Sequence, residues 1–180
     1  ALALSAGGGV FFSNFQHAYA ADVTGGDVLV DGTPAHPVPP APIAGGTITN
    51  AADSGKVHGN KITVSGAWVG PVYGGYTAGS GDATGNTATI KNAGSITDMY
   101  GGWSNTGNAT GNTVVLSGTE PGAWSYLKAY GGGSNNPGAD VTTGNTLIVR
   151  AGAGYGNGVH LARNFEYLIF EPASDIAPGQ

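Results

Sequence analysis

The chain has 180 residues, 34 of them glycine and none cysteine. Only 9% are charged, the net charge is −5, and the six Lys and Arg are scattered singly, so no basic patch exists for a phosphate backbone and nucleic acid is excluded as an expected partner. Glycine follows no strict triplet period, which excludes collagen, and no apolar run approaches the roughly 18 residues that a transmembrane helix requires.

Residues 1–20 carry Leu2, Leu4, Val10, Phe11, Phe12 and Phe15 and end in Ala18-Tyr19-Ala20. That reads as the apolar part of a secretory leader with a small-x-small cleavage site. The competing reading is an ordered segment in which Val10, Phe11, Phe12 and Phe15 form an inter-subunit strand added to a neighbouring copy. Residues 21–55 come next, with a first strand predicted over Asp27-Val28-Leu29-Val30-Asp31. Pro34, Pro37, Pro39, Pro40 and Pro42 then favour extended polyproline II and forbid a central strand. Gly45-Gly46-Thr47-Ile48-Thr49-Asn50 looks like a degenerate unit that caps the regular repeats, since terminal repeats are commonly atypical.

From residue 56 to 172 the chain repeats itself. Gly-Asn stands at Gly59-Asn60, Gly85-Asn86, Gly111-Asn112 and Gly144-Asn145, at spacings of 26, 26 and 33. Tyr-Gly-Gly interleaves with it at Tyr73, Tyr100 and Tyr130. Periods of this size mark solenoids, propellers or arrays. After each Asn the apolar residues fall at plus two and plus four: Ile62 and Val64, Ala88 and Ile90, Val114 and Leu116, Leu147 and Val149. The residues between them are mostly β-branched, so each word starts a short strand with one face buried. A second strand is expected to lead into each Tyr-Gly-Gly, with glycine-rich corners at Thr77–Asp82 and Trp103–Asn108. Helix is excluded by the glycine interruptions and the lack of any sustained 3.6-residue period.

The expected fold is therefore all-β, a parallel β-helix or β-solenoid of about four to five coils of roughly 26–33 residues. A β-sandwich is the alternative, since sandwiches also show short strands at regular spacing. If each unit is one coil, Asn60, Asn86, Asn112 and Asn145 form an amide ladder and Tyr73, Tyr100 and Tyr130 an aromatic stack. The last unit lacks Tyr-Gly-Gly and closes with Asn164-Phe165-Glu166-Tyr167-Leu168-Ile169-Phe170, apolar on both faces. Residues 173–180 read as a polar tail.

The chemistry-bearing residues form no recognisable constellation. The carboxylates do not pair, and Asp82, Asp98 and Asp140 are expected in or near corners. Lys91 and Arg150 share a repeat position, but Ser117 stands there in the unit between, which argues against an acidic-polysaccharide cleft. The four His have no metal-ligand spacing. No catalytic residue, metal or cofactor is expected. Trp68, Trp103 and Trp124 are candidate sugar contacts, each offering a flat apolar face with a polar edge. Trp103 follows Tyr-Gly-Gly whereas Trp68 and Trp124 precede it, so they do not fall in one ladder, and core or corner packing competes.

These words resemble bacterial autotransporter-type surface proteins, whose passenger regions carry Tyr-Gly-Gly-Tyr-Ser and Ala-Thr-Gly-Asn-Thr-Val repeats. Here they stand as Tyr73-Gly74-Gly75-Tyr76-Thr77 with Ala83-Thr84-Gly85-Asn86-Thr87, and as Tyr100-Gly101-Gly102-Trp103-Ser104 with Ala109-Thr110-Gly111-Asn112-Thr113-Val114. The resemblance covers about residues 56 to 172. It implies export to the cell surface, a β-solenoid passenger and adhesion. The translocating β-barrel of that family is not in this sequence, so either it lies beyond Gln180 or the chain is a stand-alone relative. The function expected is that of a non-enzymatic extracellular structural or adhesive protein. Its expected partner is a second copy of itself, in a homopolymer, or a cell-surface glycan or host ligand. A polysaccharide-binding or polysaccharide-cleaving module on the same scaffold is the alternative.

Overall fold

The computed structural model describes residues 21–30, 41–65, 68–91, 95–117, 127–150 and 159–171. Within them there are eighteen strands and no helix, and every strand pair is parallel. All-parallel pairing disposes of the sandwich, whose sheets are antiparallel. No helix is long and apolar enough to cross a membrane among the described residues.

The best-defined unit runs β5 (Val57–His58), β6 (Lys61–Ser65), β7 (Trp68–Val69) and β8 (Val72–Thr77). The next repeats it as β9 (Ala83–Thr84), β10 (Thr87–Lys91), β11 (Ser95–Ile96) and β12 (Asp98–Ser104). A third supplies β13 (Ala109–Thr110), β14 (Thr113–Ser117) and β15 (Leu127–Ser134). Each strand pairs with its own counterpart in the next unit. Thus Ile62, Ala88, Val114 and Leu147 lie side by side, as do Val64, Ile90, Leu116 and Val149. These rows point inward, and all but the half-buried Val149 are closed off from solvent. Burying one such row is worth about 1.5–3 kcal/mol per large aliphatic side chain, which is what selects this register. A slip of one residue would turn every one of them outward.

Four parallel sheets result. One contains the two-residue strands in the order β1-β5-β9-β13, with β1 at Val23–Thr24. A six-stranded sheet runs from β18 (Tyr167–Glu171) through β16 (Thr146–Arg150), β14, β10 and β6 to β2 (Asp27–Val30). A second runs from β17 (Val159–Arg163) through β15, β12 and β8 to β3 (Ile43–Ala44), with β4 (Thr47–Ile48) also on β8. The last pairs β7 with β11. The arrangement is compatible with a β-solenoid.

Two local expectations are corrected. The Tyr-Gly-Gly words lie inside β8, β12 and β15, and do not close them; the corners begin only after Thr77 and Ser104. The positive-φ turns fall instead at the glycine of Gly-Asn, where Gly59, Gly85, Gly111 and Gly144 have φ between 63 and 70°, a region that costs glycine nothing. Asp98, expected in or near a corner, is the first residue of β12, directly after the break that separates it from β11 (Ser95–Ile96). Residues 45–50, read from sequence as a degenerate capping unit, belong to a unit already begun at Val23, to which Ile43–Ala44 and Thr47–Ile48 contribute. Ala44 pairs with Tyr73 and Thr47 with Tyr76, which places Gly45-Gly46 where the next unit has Gly74-Gly75.

Among the described residues, the six-stranded sheet that contains β6 ends in an open edge at β18. This strand pairs with β16, so Leu168 and Phe170 continue the inward rows of Leu147 and Val149. They are nonetheless 57% and 73% exposed, with Tyr167 and Ile169 at 52% and 42%.

Candidate functional site

Two side-chain columns run through the repeats, one inside and one outside. The inner column is the asparagine ladder. Asn60, Asn86, Asn112 and Asn145 are fully buried. Asn86 Oδ1 accepts from the Asn60 N–H and Nδ2, both at 3.1 Å. Asn112 Oδ1 accepts from the Asn86 N–H at 2.9 Å and Nδ2 at 3.1 Å, and Asn145 Oδ1 from the Asn112 N–H at 2.8 Å. Each amide also donates back to the preceding corner strand, to Val23, Val57, Ala83 and Ala109 oxygens at 2.9–3.0 Å. A buried primary amide has two donors and an acceptor to satisfy, and this column satisfies them by repetition. At one end Gly26 N–H donates to Asn60 Oδ1 at 2.8 Å. At the other, Glu166 stands at the register position of a further Asn, but its exposed carboxylate accepts the Gly144 N–H at 2.6 Å while the Asn145 N–H donates to the Thr142 oxygen, so the ladder ends at Asn145.

The Gly-Gly pairs make room for that ladder. A Cβ at Gly46, Gly75 or Gly102 would stand 2.5, 2.6 or 2.7 Å from the amide of Asn60, Asn86 or Asn112. Those are distances that real Cβ atoms do not adopt, so the two sequence words are the two halves of one contact. Glycine inside a strand marks such a close approach.

The outer column is aromatic. Tyr73 and Tyr100 stack with ring centroids 5.1 Å apart and planes 17° from parallel; Tyr100 and Tyr130 stack at 4.6 Å and 8°. Beside this row, three residues further along each strand, stand Tyr76, Trp103 and Gly133 in register. Trp103 meets Tyr100 at 5.3 Å with its plane 82° away, and Tyr73 at 6.3 Å and 65°; Tyr76 meets Tyr73 at 5.1 Å and 61°. All five rings are half-buried. The indole reaches over position 133, where a Cβ would come 2.4 Å from Trp103 Cε3, so glycine there is what admits the ring.

Polar groups border the rings. Asp98, two residues before Tyr100, lies 4.0 Å from Lys128 Nζ. Burial pushes the Tyr100 hydroxyl pKa well above its ordinary value, and Asp98, Tyr130 and Tyr73 add to the effect. Burial likewise raises that of Tyr73, with Tyr76 and Asp98 contributing. Both phenols therefore remain protonated donors at any physiological pH. Beyond Trp103, Asn135 Nδ2 donates to Asn105 Oδ1 at 2.8 Å in an exposed amide pair.

Of the sequence-predicted sites, the four Asn and the three Tyr are brought together, and Trp103 joins the Tyr row. Trp68 belongs to β7 and so to a different sheet from Trp103. Trp124 and the strand residues Val10, Phe11, Phe12 and Phe15 lie outside the described residues. Tyr76 and Lys128 were not singled out from sequence, and Asp98 was named there only as a residue in or near a corner. Tyr76 carried a signal, because it and Trp103 both stand third after a Tyr of the repeated word.

A smaller polar column on the corner was also missed. The N–H groups of Lys56 and Asn108 donate to Asp22 Oδ1 and Asp82 Oδ1 at 2.8 and 2.9 Å, and that of Asp140 to Asn108 Oδ1 at 2.9 Å. Asp140 then accepts from the Thr142 and Thr143 N–H groups at 2.9 and 3.0 Å. Hydrogen bonds from Thr143 and Thr142 hold its carboxyl below the ordinary carboxylate range. These carboxylates are used in holding corners. Among the described residues no group of three or more His, Cys, Asp or Glu is placed to hold a metal. Lys91 lies opposite Ser117, and Arg150 Nε donates to Glu171 at 3.0 Å.

Comparison with protein-family models, with curated proteins and with solved structures finds no match.

Proposed function

We propose that this chain is an extracellular structural and adhesive β-solenoid of a bacterial cell surface, acting through its shape and the surfaces it presents rather than by catalysis. The observation that carries the reading is the repetition in register of one asparagine ladder and one tyrosine stack across successive units. Such a column makes a stiff rod from a sequence poor in charge and rich in small residues, and each added unit lengthens it without new design. The coils are the successive units from Val23, Val57, Ala83 and Ala109 onward, each contributing to the sheets in the same order. The resemblance to autotransporter passengers supports export and adhesion. The test is display of the chain on a non-adherent bacterium through a foreign membrane anchor. Cells should then self-aggregate or adhere to host-cell or glycan-coated surfaces. Cells carrying verified surface protein that do neither would sink the reading.

Self-assembly is favoured by a specific feature, the open edge of β18. Its exposed Tyr167, Leu168, Ile169 and Phe170 can accept a strand that is apolar on both faces. Val10-Phe11-Phe12 of a second copy has the sequence to supply such a strand, in a stretch free of Asp, Glu, Lys and Arg from Ala1 to Ala20. Deleting Ala1 to Ala20, or changing Ile169→Lys, should abolish polymers in negative-stain micrographs while the β signal in circular dichroism stays. Polymers of normal length from both variants would defeat the idea.

A further inference from the structure

The outward face of β12 carries, in order, Asp98, Tyr100 and Trp103, and Asn105 comes directly after the strand. Spacing of about 3.3 Å per residue sets this line at roughly 23 Å from first to last. It contains a carboxylate, a phenol row, an indole and an exposed amide pair. The function of the aromatic rings is divided. Tyr100 has both faces covered by Tyr73 and Tyr130, so the middle of the stack offers only rims and hydroxyls. Trp103 stands perpendicular to that stack. The indole meets Tyr100 and Tyr73 edgewise and lies over Gly133, yet it is only half-buried, so part of the ring is open to a ligand.

That division suits a particular chemistry. A pyranose presents an apolar face of C–H groups and a rim of hydroxyls that both donate and accept. The C–H face can stack on an indole, whose flat apolar face and polar N–H edge suit a half-wet contact. The hydroxyl rim needs acceptors, which Asp98 and Asn105 supply, and donors, which the protonated phenols, Lys128 and Asn135 supply. A proline-rich peptide also docks on aromatics, but in grooves, and its prolines have no N–H to offer Asp98. The Asp98 carboxylate and the net charge of −5 disfavour an anionic ligand. We infer that the outward face of β8, β12 and β15 is a binding site for a neutral, extended oligosaccharide. Trp103 is its stacking platform, and Tyr100, Asp98 and Asn105 are its hydroxyl contacts. This inference rests on the adhesive reading and names the ligand class through which adhesion would act.

The experiment uses the full chain and two probes, the hexasaccharides of β-1,4-linked glucose and of β-1,4-linked N-acetylglucosamine, in calorimetric titrations. At least one should bind saturably. Trp103→Ala should weaken it about tenfold or more, Trp103→Phe should restore part of the loss, and Asp98→Asn should weaken it several-fold, all three with unchanged circular dichroism. The inference is overturned if neither sugar binds the folded chain, if Trp103→Ala binds as well as the parent, or if a polyproline decapeptide binds this face instead. In the cell-display assay, adhesion that survives Trp103→Ala overturns the glycan site but leaves the adhesive scaffold standing. Absence of adhesion from the parent chain removes the scaffold reading itself.

Discussion

Truncating one rung of the asparagine ladder is the sharpest test of what holds this fold together. Asn112 is the rung to choose, because it has a neighbour on both sides and no solvent exposure. Asn112→Ala removes the acceptor for the Asn86 N–H and for one Asn86 Nδ2 hydrogen, and the donor to the Ala83 oxygen. Three polar groups are thus left without partners in a closed interior. At about 1–3 kcal/mol for each unsatisfied group, and with partial relief as the strands relax, the expected loss is about 3–6 kcal/mol. That is a large fraction of the roughly 5–15 kcal/mol total stability of a domain this size. Urea unfolding followed by far-ultraviolet circular dichroism reads it directly, as a fall in midpoint. Asn112→Asp should be comparably damaging, since a second oxygen would face the Ala83 carbonyl. A loss below about 1 kcal/mol for Asn112→Ala would show that the column is decoration on a fold carried by its aliphatic rows alone.

The glycines make a paired prediction: Gly102→Ala sets a Cβ 2.7 Å from the Asn112 amide and should destabilise by an amount resembling loss of a rung, whereas Gly70→Ala meets nothing within 4 Å and should be neutral, both read from the same urea midpoints. Tyr100→Leu removes two stacked contacts and an edge contact. At about 0.5–1.5 kcal/mol per aromatic pair it should cost roughly 1.5–4.5 kcal/mol, measured by thermal unfolding, and Tyr76→Leu, with one contact, distinctly less. The pH dependence has a fixed sign. Tyr100 and Tyr73 have folded-state pKa values above the unfolded value of 10.0, so their stabilising contribution is complete below pH 10 and falls away as pH rises through the folded values. The phenolate absorbance that Tyr73→Phe and Tyr100→Phe remove should therefore appear together with loss of β signal above pH 10. Asp140, whose carboxyl is lowered, acts at the other extreme. Its contribution is present above the ordinary carboxylate range and lost as pH falls through its folded value, so Asp140→Ala should flatten the acid limb of the stability profile.

What the sequence determined by itself was the repeat, and through it the parallel, all-β character of the chain. Gly-Asn with apolar residues at plus two and plus four is a local pattern, and it produces a strand with one buried face wherever it occurs. Ile62, Ala88, Val114 and Leu147 could thus be assigned inward before any pairing was known. The doubled glycine was misplaced because its reason is not local. Next to a tyrosine, Gly-Gly looks like a corner, and only the approach of Asn60, Asn86 and Asn112 from another strand shows why a Cβ is forbidden there. The first unit was hidden for the same reason. It has Gly25-Gly26 and Ala44-Gly45-Gly46 where its neighbours have Gly-Asn and Tyr-Gly-Gly, and pairing with β6 and β8 restores the correspondence that the letters lost. Tertiary structure alone decided which aromatics share a face. Trp103 and Trp68 are equally apolar in sequence, but the sheet to which each strand belongs separates them, and a glycine thirty residues downstream of Trp103 opens the space its ring occupies. A repeat fixes which residues recur; only the register between its copies fixes what they touch.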